Sequence, residues 1–127
     1  MGTICINGLK LFAYHGVNPE EKEQGQDFIL DVRLEVDLSN AKESDDLTDT
    51  VSYAAVIKTI KRSFIKEKFN LIERAAKVTC EDIFKEHPAV KQVALTLKKP
   101  NAPINATFDY VAVEIIESRN DQCHTQF

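Results

Sequence analysis

Alternating apolar and polar residues in the segment 27–38 predict a long β-strand. Apolar side chains occupy every second position, namely Phe28, Leu30, Val32, Leu34, Val36 and Leu38. Because successive side chains of a strand point to opposite faces, this pattern predicts one buried face and one face in contact with water. An earlier apolar run, Thr3 to Tyr14, is interrupted at Asn7-Gly8. It predicts a strand that is bent by a bulge.

The period changes after the polar stretch 39–49, and apolar residues then recur at steps of three and four. This spacing predicts two amphipathic helices. The apolar face of the first contains Val56, Ile57, Ile60, Phe64 and Ile65. That of the second contains Ile72, Ala75, Ala76, Thr79, Ile83 and Phe84. The second helix should end before Pro88, because proline disfavours the helical conformation at the preceding residue.

Two further runs, 90–99 and 108–117, show strand-type alternation and flank a loop that contains Pro100 and Pro103. The order is therefore strand, strand, helix, helix, strand, strand, without a strand-helix-strand crossover. It predicts an α+β domain over residues 1–117, with a four-stranded antiparallel sheet and two helices packed on one face. Residues 118–127 are polar and aperiodic, and we expect them to form a C-terminal tail.

Composition and charge narrow the possible partners. A chain of 127 residues has little length with which to enclose a deep pocket, so a subunit interface is a natural place for its site. The formal charge of −4, with mixed signs along the chain, predicts that nucleic acid is not a partner. The sequence shows neither a signal peptide nor a bilayer span, and its three cysteines have no C-x-x-C spacing. We expect a cytoplasmic protein with reduced thiols and no membrane partner.

Lys99 continues the apolar face that Val93, Leu95 and Leu97 form on the predicted third strand. This parity indicates that Lys99 points inward or into a cleft. Partial desolvation would disfavour its charged form and ease proton donation near neutral pH. Alternatively, the side chain reaches out to solvent beyond the end of the strand.

Three further residues have both a structural and a functional interpretation. Glu73 stands three positions after Asn70, which is the spacing of a capping box, but its carboxylate could also accept two parallel hydrogen bonds from a guanidine-like edge such as that of a pterin. Tyr53 follows a candidate N-cap at Ser52 and could either pack or stack on a flat heterocycle. Glu21 lies in a charged run whose members are mostly solvated.

The histidines do not have the spacing of metal ligands. His15, His87 and His124 are far apart, and no cysteine or carboxylate pattern accompanies them. We therefore expect neither a metal nor another cofactor. Only His15 stands near a loop that could face a ligand, and the sequence assigns no role to it.

Five short motifs, taken together and in order, resemble those of dihydroneopterin aldolases. They are Tyr14-His15-Gly16, Glu21 with Gly25-Gln26, Asp49-Thr50-Val51-Ser52-Tyr53, Asn70-Leu71-Ile72-Glu73 and Lys99-Pro100-Asn101-Ala102-Pro103-Ile104. The resemblance runs from Ile4 to Glu117 and implies the tunnelling fold, in which the sheets of four subunits close a barrel. It also implies a homo-oligomer, either a tetramer or an octamer of two stacked barrels, with sites between subunits. One departure, Ala106 where the family often has glycine, affects the expected loop geometry rather than the chemistry.

The resemblance implies a retro-aldol reaction of folate biosynthesis. The substrate would be 7,8-dihydroneopterin, and the products would be 6-hydroxymethyl-7,8-dihydropterin and glycolaldehyde, with epimerisation to 7,8-dihydromonapterin as a possible companion reaction. The C6=N5 imine of the pterin would serve as the electron sink, so that neither zinc nor a lysine Schiff base is needed.

The same resemblance assigns roles to individual residues. Glu73 and the main chain at Ile72 would hold the pterin edge, whereas Tyr53 and Val51 would come from the neighbouring subunit. The implied substrate-binding residues are Glu73, Ile72, Tyr53, Glu21 and Val51. The implied catalytic residues are Lys99, as the proton-transfer residue, Tyr53 and Glu21.

Two alternatives remain from the sequence. A dihydroneopterin triphosphate 2′-epimerase would use similar residues but would also have to hold a triphosphate, and no cluster of cations is evident beyond Lys98 and Lys99. A non-catalytic pterin-binding module would bind the ligand without releasing glycolaldehyde.

Overall fold

A four-stranded antiparallel sheet organises the chain. The computed structural model describes residues 1–119, and its strands follow the spatial order β1-β2-β3-β4. The strands are β1 (Gly2–Ala13), β2 (Gln26–Val36), β3 (Gln92–Lys99) and β4 (Val111–Ser118). All pairs of neighbouring strands are antiparallel. The four predicted strands are confirmed, with ends that differ by a few residues.

The bulge predicted in β1 is also present. The register between β1 and β2 shifts between Ile6 and Leu9, and Gly8 adopts a φ of 71° there. The main-chain N–H of Gly8 donates a hydrogen bond of 2.7 Å to Oδ1 of Asp31 on β2. A side chain of the neighbouring strand therefore stabilises the bend, since a bulge leaves main-chain groups without their usual ladder partners.

Within residues 1–118, four α-helices accompany the sheet: α1 (Pro19–Gln24), α2 (Ala41–Ser44), α3 (Tyr53–Ile65) and α4 (Ile72–Glu86). A short 3₁₀ helix (Leu47–Asp49) precedes α3. The two long helices were predicted and pack on the sheet, where α3 contacts β1 and α4 contacts β3 and β4. The short α1 and α2 were not predicted, because the period of a helix does not show in four to six mostly polar residues. Within residues 1–119, no helix is long and apolar enough to cross a membrane.

The core lies between the long helices and one face of the sheet. The alternation in β2 is confirmed, because Phe28, Leu30, Val32 and Leu34 are fully buried. Helix residues of the predicted apolar faces close the core from the other side, among them Val56, Ile60, Phe64 and Ile83, which are also fully buried. The periodicity of the sequence thus identified most of the packed interface.

The start of α4 differs from the capping-box interpretation. Its N-cap is Leu71 rather than Asn70, and no side chain among residues 1–119 caps the helix. Glu73 is the second residue of α4, one position too early for the capping-box glutamate. That interpretation of Glu73 is therefore wrong. At α3, in contrast, the expected N-cap is present, because Oγ of Ser52 accepts a hydrogen bond of 3.3 Å from an N–H in the first turn.

The end of the described chain is anchored to the domain. Ser118 is the last residue of β4, and the guanidinium of Arg119 donates hydrogen bonds to the carbonyl groups of Phe84, His87 and Val90 at 3.1, 2.9 and 2.8 Å. The sequence pattern assigned both residues to the tail, because it does not show that a planar cation satisfies carbonyl groups at the end of α4. The rest of the predicted tail, 120–127, lies outside the described residues.

His15 connects the end of β1 to the segment between α3 and α4. It is fully buried, its Nε2 donates to the carbonyl of Phe64 at 2.7 Å, and its Nδ1 accepts from the N–H of Phe69 at 3.1 Å. These partners assign the proton to Nε2 of a neutral imidazole. Its ring also packs against Phe28, Phe64 and Phe69. Burial lowers the pKa of His15, the hydrogen bond to Phe64 opposes this effect, and the charge of Lys99 adds to it.

We expect this histidine to make the free energy of unfolding depend on pH. The unfolded chain binds a proton near pH 6.5, while the folded chain resists protonation until a lower pH. Stability should therefore be constant with respect to His15 above pH 6.5 and fall as the pH is lowered below it. Urea unfolding of the wild type and of His15→Gln between pH 8 and pH 5 measures this effect.

The variant should lose about 1–3 kcal/mol at pH 7.5 but show a shallower decline below pH 6.5. His87, whose pKa burial also lowers, is common to both proteins and cancels in the comparison. Parallel pH dependences for the two proteins would contradict the role given to His15.

Candidate active site

Lys99 and Glu21 form an ion pair that is largely buried. Lys99 follows the fully buried Leu95 and Leu97 on β3, and its Nζ lies 2.5 Å from Oε2 of Glu21. The side chains of Lys99 and Glu21 are only 13% and 7% exposed. The inward direction predicted for Lys99 is confirmed. Its surroundings differ from the expectation, because a carboxylate compensates the buried ammonium.

The carboxylate of Glu21 has three hydrogen-bond donors. Oε2 accepts from Nζ of Lys99 and from Nε2 of Gln26 at 3.0 Å, and Oε1 accepts from the N–H of Asn18 at 3.2 Å. Burial alone would raise the pKa of Glu21, but these hydrogen bonds outweigh it and hold the pKa below its usual value of 4.5. Glu21 is therefore ionised at neutral pH. Helix α1 buries it while Glu20 and Glu23 remain exposed, so Glu21 is not a solvated member of the charged run.

Gly16 allows the carboxylate to approach the main chain. Its φ is 148°, and a Cβ at this position would lie 2.3 Å from Cδ and Oε1 of Glu21. Its N–H donates to the carbonyl of Phe69 at 2.9 Å, and its own carbonyl accepts from Nζ of Lys22. Only glycine satisfies both the backbone conformation and the contact with Glu21.

The ion pair lines a cleft of about 260 Å³. The other walls come from the start of α4, at 70–73, and from the loop after β3, at 102–104. Glu73 is exposed there, and no residue among 1–119 forms an ion pair with its carboxylate. Because no described side chain caps α4, the N–H groups of Ile72 and Glu73 remain available to a ligand, whereas that of Arg74 donates to the carbonyl of Leu71 at 3.1 Å. Glu21, Ile72, Glu73 and Lys99 therefore share one cleft.

Two predicted site residues do not reach this cleft. Tyr53 is the first residue of α3 and 65% exposed, and Val51 is buried with its side chain in the core of its own subunit. Neither lines the cleft formed by the described part of the chain. Any ligand contact of Val51 would involve its main chain.

The sequence analysis assigned no role to the residues that position Glu21, although Gly16 and Gln26 stand in the motifs quoted above. Asn18 and Gln26 donate hydrogen bonds to its carboxylate, and Gly16 leaves room for it. One signal for Gln26 was available, because it shares the parity of Phe28 and Leu30 and so is a polar residue on the apolar face of β2. Asn18 and Gly16 contribute through the main chain, for which the sequence gives no such signal.

The arrangement provides a carboxylate and an ammonium in contact, next to a second carboxylate at a helix start. Such a set can bind a hydrogen-bonding heterocycle and exchange protons with it. Within residues 1–119, no group of three or more His, Cys, Asp or Glu side chains could hold a metal ion.

Comparison with known proteins identifies the family of the chain. The sequence model of the dihydroneopterin aldolase family (FolB) matches residues 4–116. The chain belongs to the dihydroneopterin aldolase family. A dihydroneopterin aldolase of Streptococcus pyogenes serotype M18 is 40% identical over 119 residues, which are 94% of this chain and 100% of the relative. One of Methylorubrum extorquens is 38% identical over 122 residues, which are 96% of this chain and 94% of the relative.

The fold of the chain is also that of a solved structure of this aldolase family. The crystal structure of Escherichia coli dihydroneopterin aldolase in complex with neopterin has a TM-score of 0.84 and 28% identity, and the match covers 93% of this chain and 100% of that chain. The predicted α+β tunnelling fold is thereby confirmed for the subunit. The chain is an aldehyde-lyase of folate biosynthesis, and the sequence-based recognition of the aldolase is confirmed.

Gly16→Ala should impair this aldolase more than its effect on stability explains. The added methyl would displace the Glu21 carboxylate, and a misplacement of about 1 Å can reduce turnover roughly 100-fold. Gly8→Ala is the matched control, because Gly8 also has a positive φ but its Cβ would have no heavy atom within 4 Å. Both variants should lose about 1–3 kcal/mol through backbone strain.

Urea unfolding and the steady-state release of glycolaldehyde measure the two effects separately. Equal turnover in Gly16→Ala and Gly8→Ala would show that the close contact between Gly16 and Glu21 has no bearing on activity.

Proposed function

We propose that Lys99 and Glu21 of one subunit, with Tyr53 of a neighbouring subunit, catalyse the retro-aldol cleavage of 7,8-dihydroneopterin. The observation that carries this proposal is the buried Lys99–Glu21 ion pair, which shares its cleft with the exposed carboxylate of Glu73. One end of the cleft would bind the flat heterocycle, and the other would act on its side chain.

The start of α4 binds the pterin in this proposal. The Glu73 carboxylate can accept two parallel hydrogen bonds from the guanidine-like edge of the ring, which is the geometry of a bidentate pair. The main chain at Ile72 supplies further hydrogen bonds. The absence of a cap on α4 and the unpaired state of Glu73 within the described chain support this role. That the E. coli relative was crystallised with neopterin also supports a pterin ligand.

Cleavage then needs only proton transfers. Loss of the proton from the 2′-hydroxyl lets the C1′–C2′ bond break, and its electron pair moves into the C6=N5 imine of the pterin. Glycolaldehyde leaves and N5 receives a proton, which gives an enamine. Protonation of this enamine at C1′ and loss of the proton from N5 restore the C6=N5 imine and give 6-hydroxymethyl-7,8-dihydropterin. Lys99 is the proton donor, and Glu21 lies near the reacting side chain and holds the ammonium. General acid-base help of this kind is worth roughly 10²–10⁴-fold.

The cleft favours this substrate over a dihydroneopterin triphosphate. Among the described residues that line it, Lys99 is the only cation, and Glu21 already neutralises it. Lys98 is on the other face of β3 and pairs with Asp31 at 2.9 Å. A triphosphate in this cleft would therefore lie beside two carboxylates, those of Glu21 and Glu73, and beside one lysine whose charge Glu21 already neutralises.

The site is completed between subunits in a homo-oligomer, a tetramer or an octamer. Tyr53 is exposed and does not line the cleft of its own described chain, which supports its contribution to a neighbour. The edge strands β1 and β4 offer main-chain groups for pairing between sheets. We also assign the reaction to the cytoplasm, in agreement with the free thiols of Cys5 and Cys80.

Replacement of Lys99 tests the proposed proton transfer. Lys99→Ala should lower kcat by roughly 10²–10⁴-fold and change KM little, because the lost interaction belongs mainly to the transition state. Lys98→Ala removes the neighbouring lysine, whose side chain is on the other face of the sheet, and should retain activity. Chromatography of both products from 7,8-dihydroneopterin measures the effect.

Unchanged turnover in Lys99→Ala would refute the catalytic role of this lysine. In the wild type, borohydride should trap no adduct with substrate, because the imine belongs to the pterin. An adduct found at Lys99 by mass spectrometry would overturn the mechanism.

Mixing of Tyr53→Phe and Lys99→Ala subunits, each of which we expect to have lowered activity, tests the shared site. Subunits of Tyr53→Phe retain Lys99, and subunits of Lys99→Ala retain Tyr53. Mixed assemblies should therefore contain some sites with both native residues and regain part of the wild-type activity. Co-purification of differently tagged subunits verifies mixing, and a mixed assembly without any recovered activity would count against a site between subunits.

A further inference from the structure

Gln26 is a polar residue at a core position of the sheet. It begins β2, pairs in register with Ala13 of β1 and shares the buried face of Phe28 and Leu30. The residue as a whole is buried, with 9% of its surface exposed. Apolar residues occupy the following positions of this face, so a glutamine here departs from the pattern that stabilises the core.

Only one side of the Gln26 amide is satisfied within the described chain. Nε2 donates to Oε2 of Glu21 at 3.0 Å, whereas Oε1 is buried without a hydrogen-bond partner among the described residues. A buried acceptor without a partner destabilises a protein. The unsatisfied oxygen of Gln26 therefore lowers the stability of the fold, whereas its amide nitrogen makes a single hydrogen bond to Glu21.

The hydrogen bond of Gln26 converges with the ion pair on one oxygen. Oε2 of Glu21 contacts Nζ of Lys99 on one side and Nε2 of Gln26 on the other. Gln26 and Gln24 line a second cleft, which has Glu21 and Pro103 in common with the cleft of Lys99 and Glu73, and Gln26 does not line the latter. Gln26 thus contacts the carboxylate from outside the proposed substrate cleft.

We propose that Gln26 is a positioning residue, which fixes the carboxylate of Glu21 against the ammonium of Lys99 without touching the substrate. This inference rests on the proposed catalytic role of the Lys99–Glu21 pair. With the other oxygen held by the N–H of Asn18, the amide of Gln26 removes the remaining freedom of the carboxylate to rotate. An amide that donates from a core position also buries its carbonyl oxygen, which here lowers stability.

Gln26→Met is the first test, because methionine keeps the length and removes both the donor and the unsatisfied acceptor. We expect unchanged or higher resistance to urea, together with a loss in kcat of about 10- to 100-fold and little change in KM. Gln24→Met is the matched control. It changes an exposed glutamine two residues away, on the same second cleft, and should leave kcat unchanged.

The ionisation of Glu21 supplies a readout that a purely structural role would not move. Loss of a donor to the carboxylate should raise the pKa of Glu21, so ¹³C NMR should detect its protonation at higher pH in Gln26→Met than in the wild type. Gln26→Glu keeps the shape but places a like charge beside Glu21, and should shift the titration further in the same direction. The acidic side of the pH profile of kcat should shift to higher pH in the same order of variants.

The outcomes separate this inference from the proposed function. If Glu21→Gln is inactive, while Gln26→Met keeps the wild-type kcat and the wild-type titration of Glu21, the positioning role is refuted and the catalytic role of Glu21 stands. If Glu21→Gln retains full activity, the catalytic role itself fails and the positioning inference fails with it. Reduced kcat with the ordered shift in titration, at undiminished stability, supports the inference.

Discussion

The contact between the ammonium of Lys99 and the carboxylate of Glu21 is the constraint on which the site depends. Two charges that are removed from water lose hydration, and their attraction compensates this loss only when the geometry is good and further hydrogen bonds satisfy both groups. Here the side chains are 13% and 7% exposed, and the carboxylate accepts three hydrogen bonds. The pair is thus retained in a position where an isolated lysine or glutamate would be strongly unfavourable.

Several local features follow from this one requirement. Helix α1 buries Glu21 among exposed neighbours, and its N-cap residue Asn18 donates a main-chain N–H to the carboxylate. Gly16 has no side chain because a Cβ would overlap the carboxylate, and it is held by Phe69. His15, one residue earlier, fixes the same loop to the end of α3 through a neutral, buried imidazole. The segment between β1 and α1 therefore fixes the position of the two carboxylate oxygens of Glu21.

The sheet and the helices join the two halves of the site. Lys99 is at the end of β3, and Glu73 is at the start of α4, so each lies where a regular element gives way to a loop. The hydrogen bonds from His15 and Gly16 to the segment 64–69 couple the loop that carries Glu21 to the segment that precedes α4. A core packed behind both elements fixes the distance between the ion pair and the Glu73 carboxylate, as the proposed proton transfer to a bound substrate requires.

The sequence by itself determined the order of strands and long helices, the buried face of β2, the bulge at Gly8 and the inward direction of Lys99. Each of these follows from a local period, since a strand alternates its faces every residue and a helix repeats its face every three to four residues. It also determined the family, because motifs are read in order along the chain. Only the tertiary structure decided that Glu21 pairs with Lys99, that Gln26 donates to this carboxylate while Gly16 leaves room for it, and that Arg119 belongs to the domain. These contacts join residues that are far apart in the chain or depend on main-chain geometry, and neither property leaves a periodic trace in the sequence.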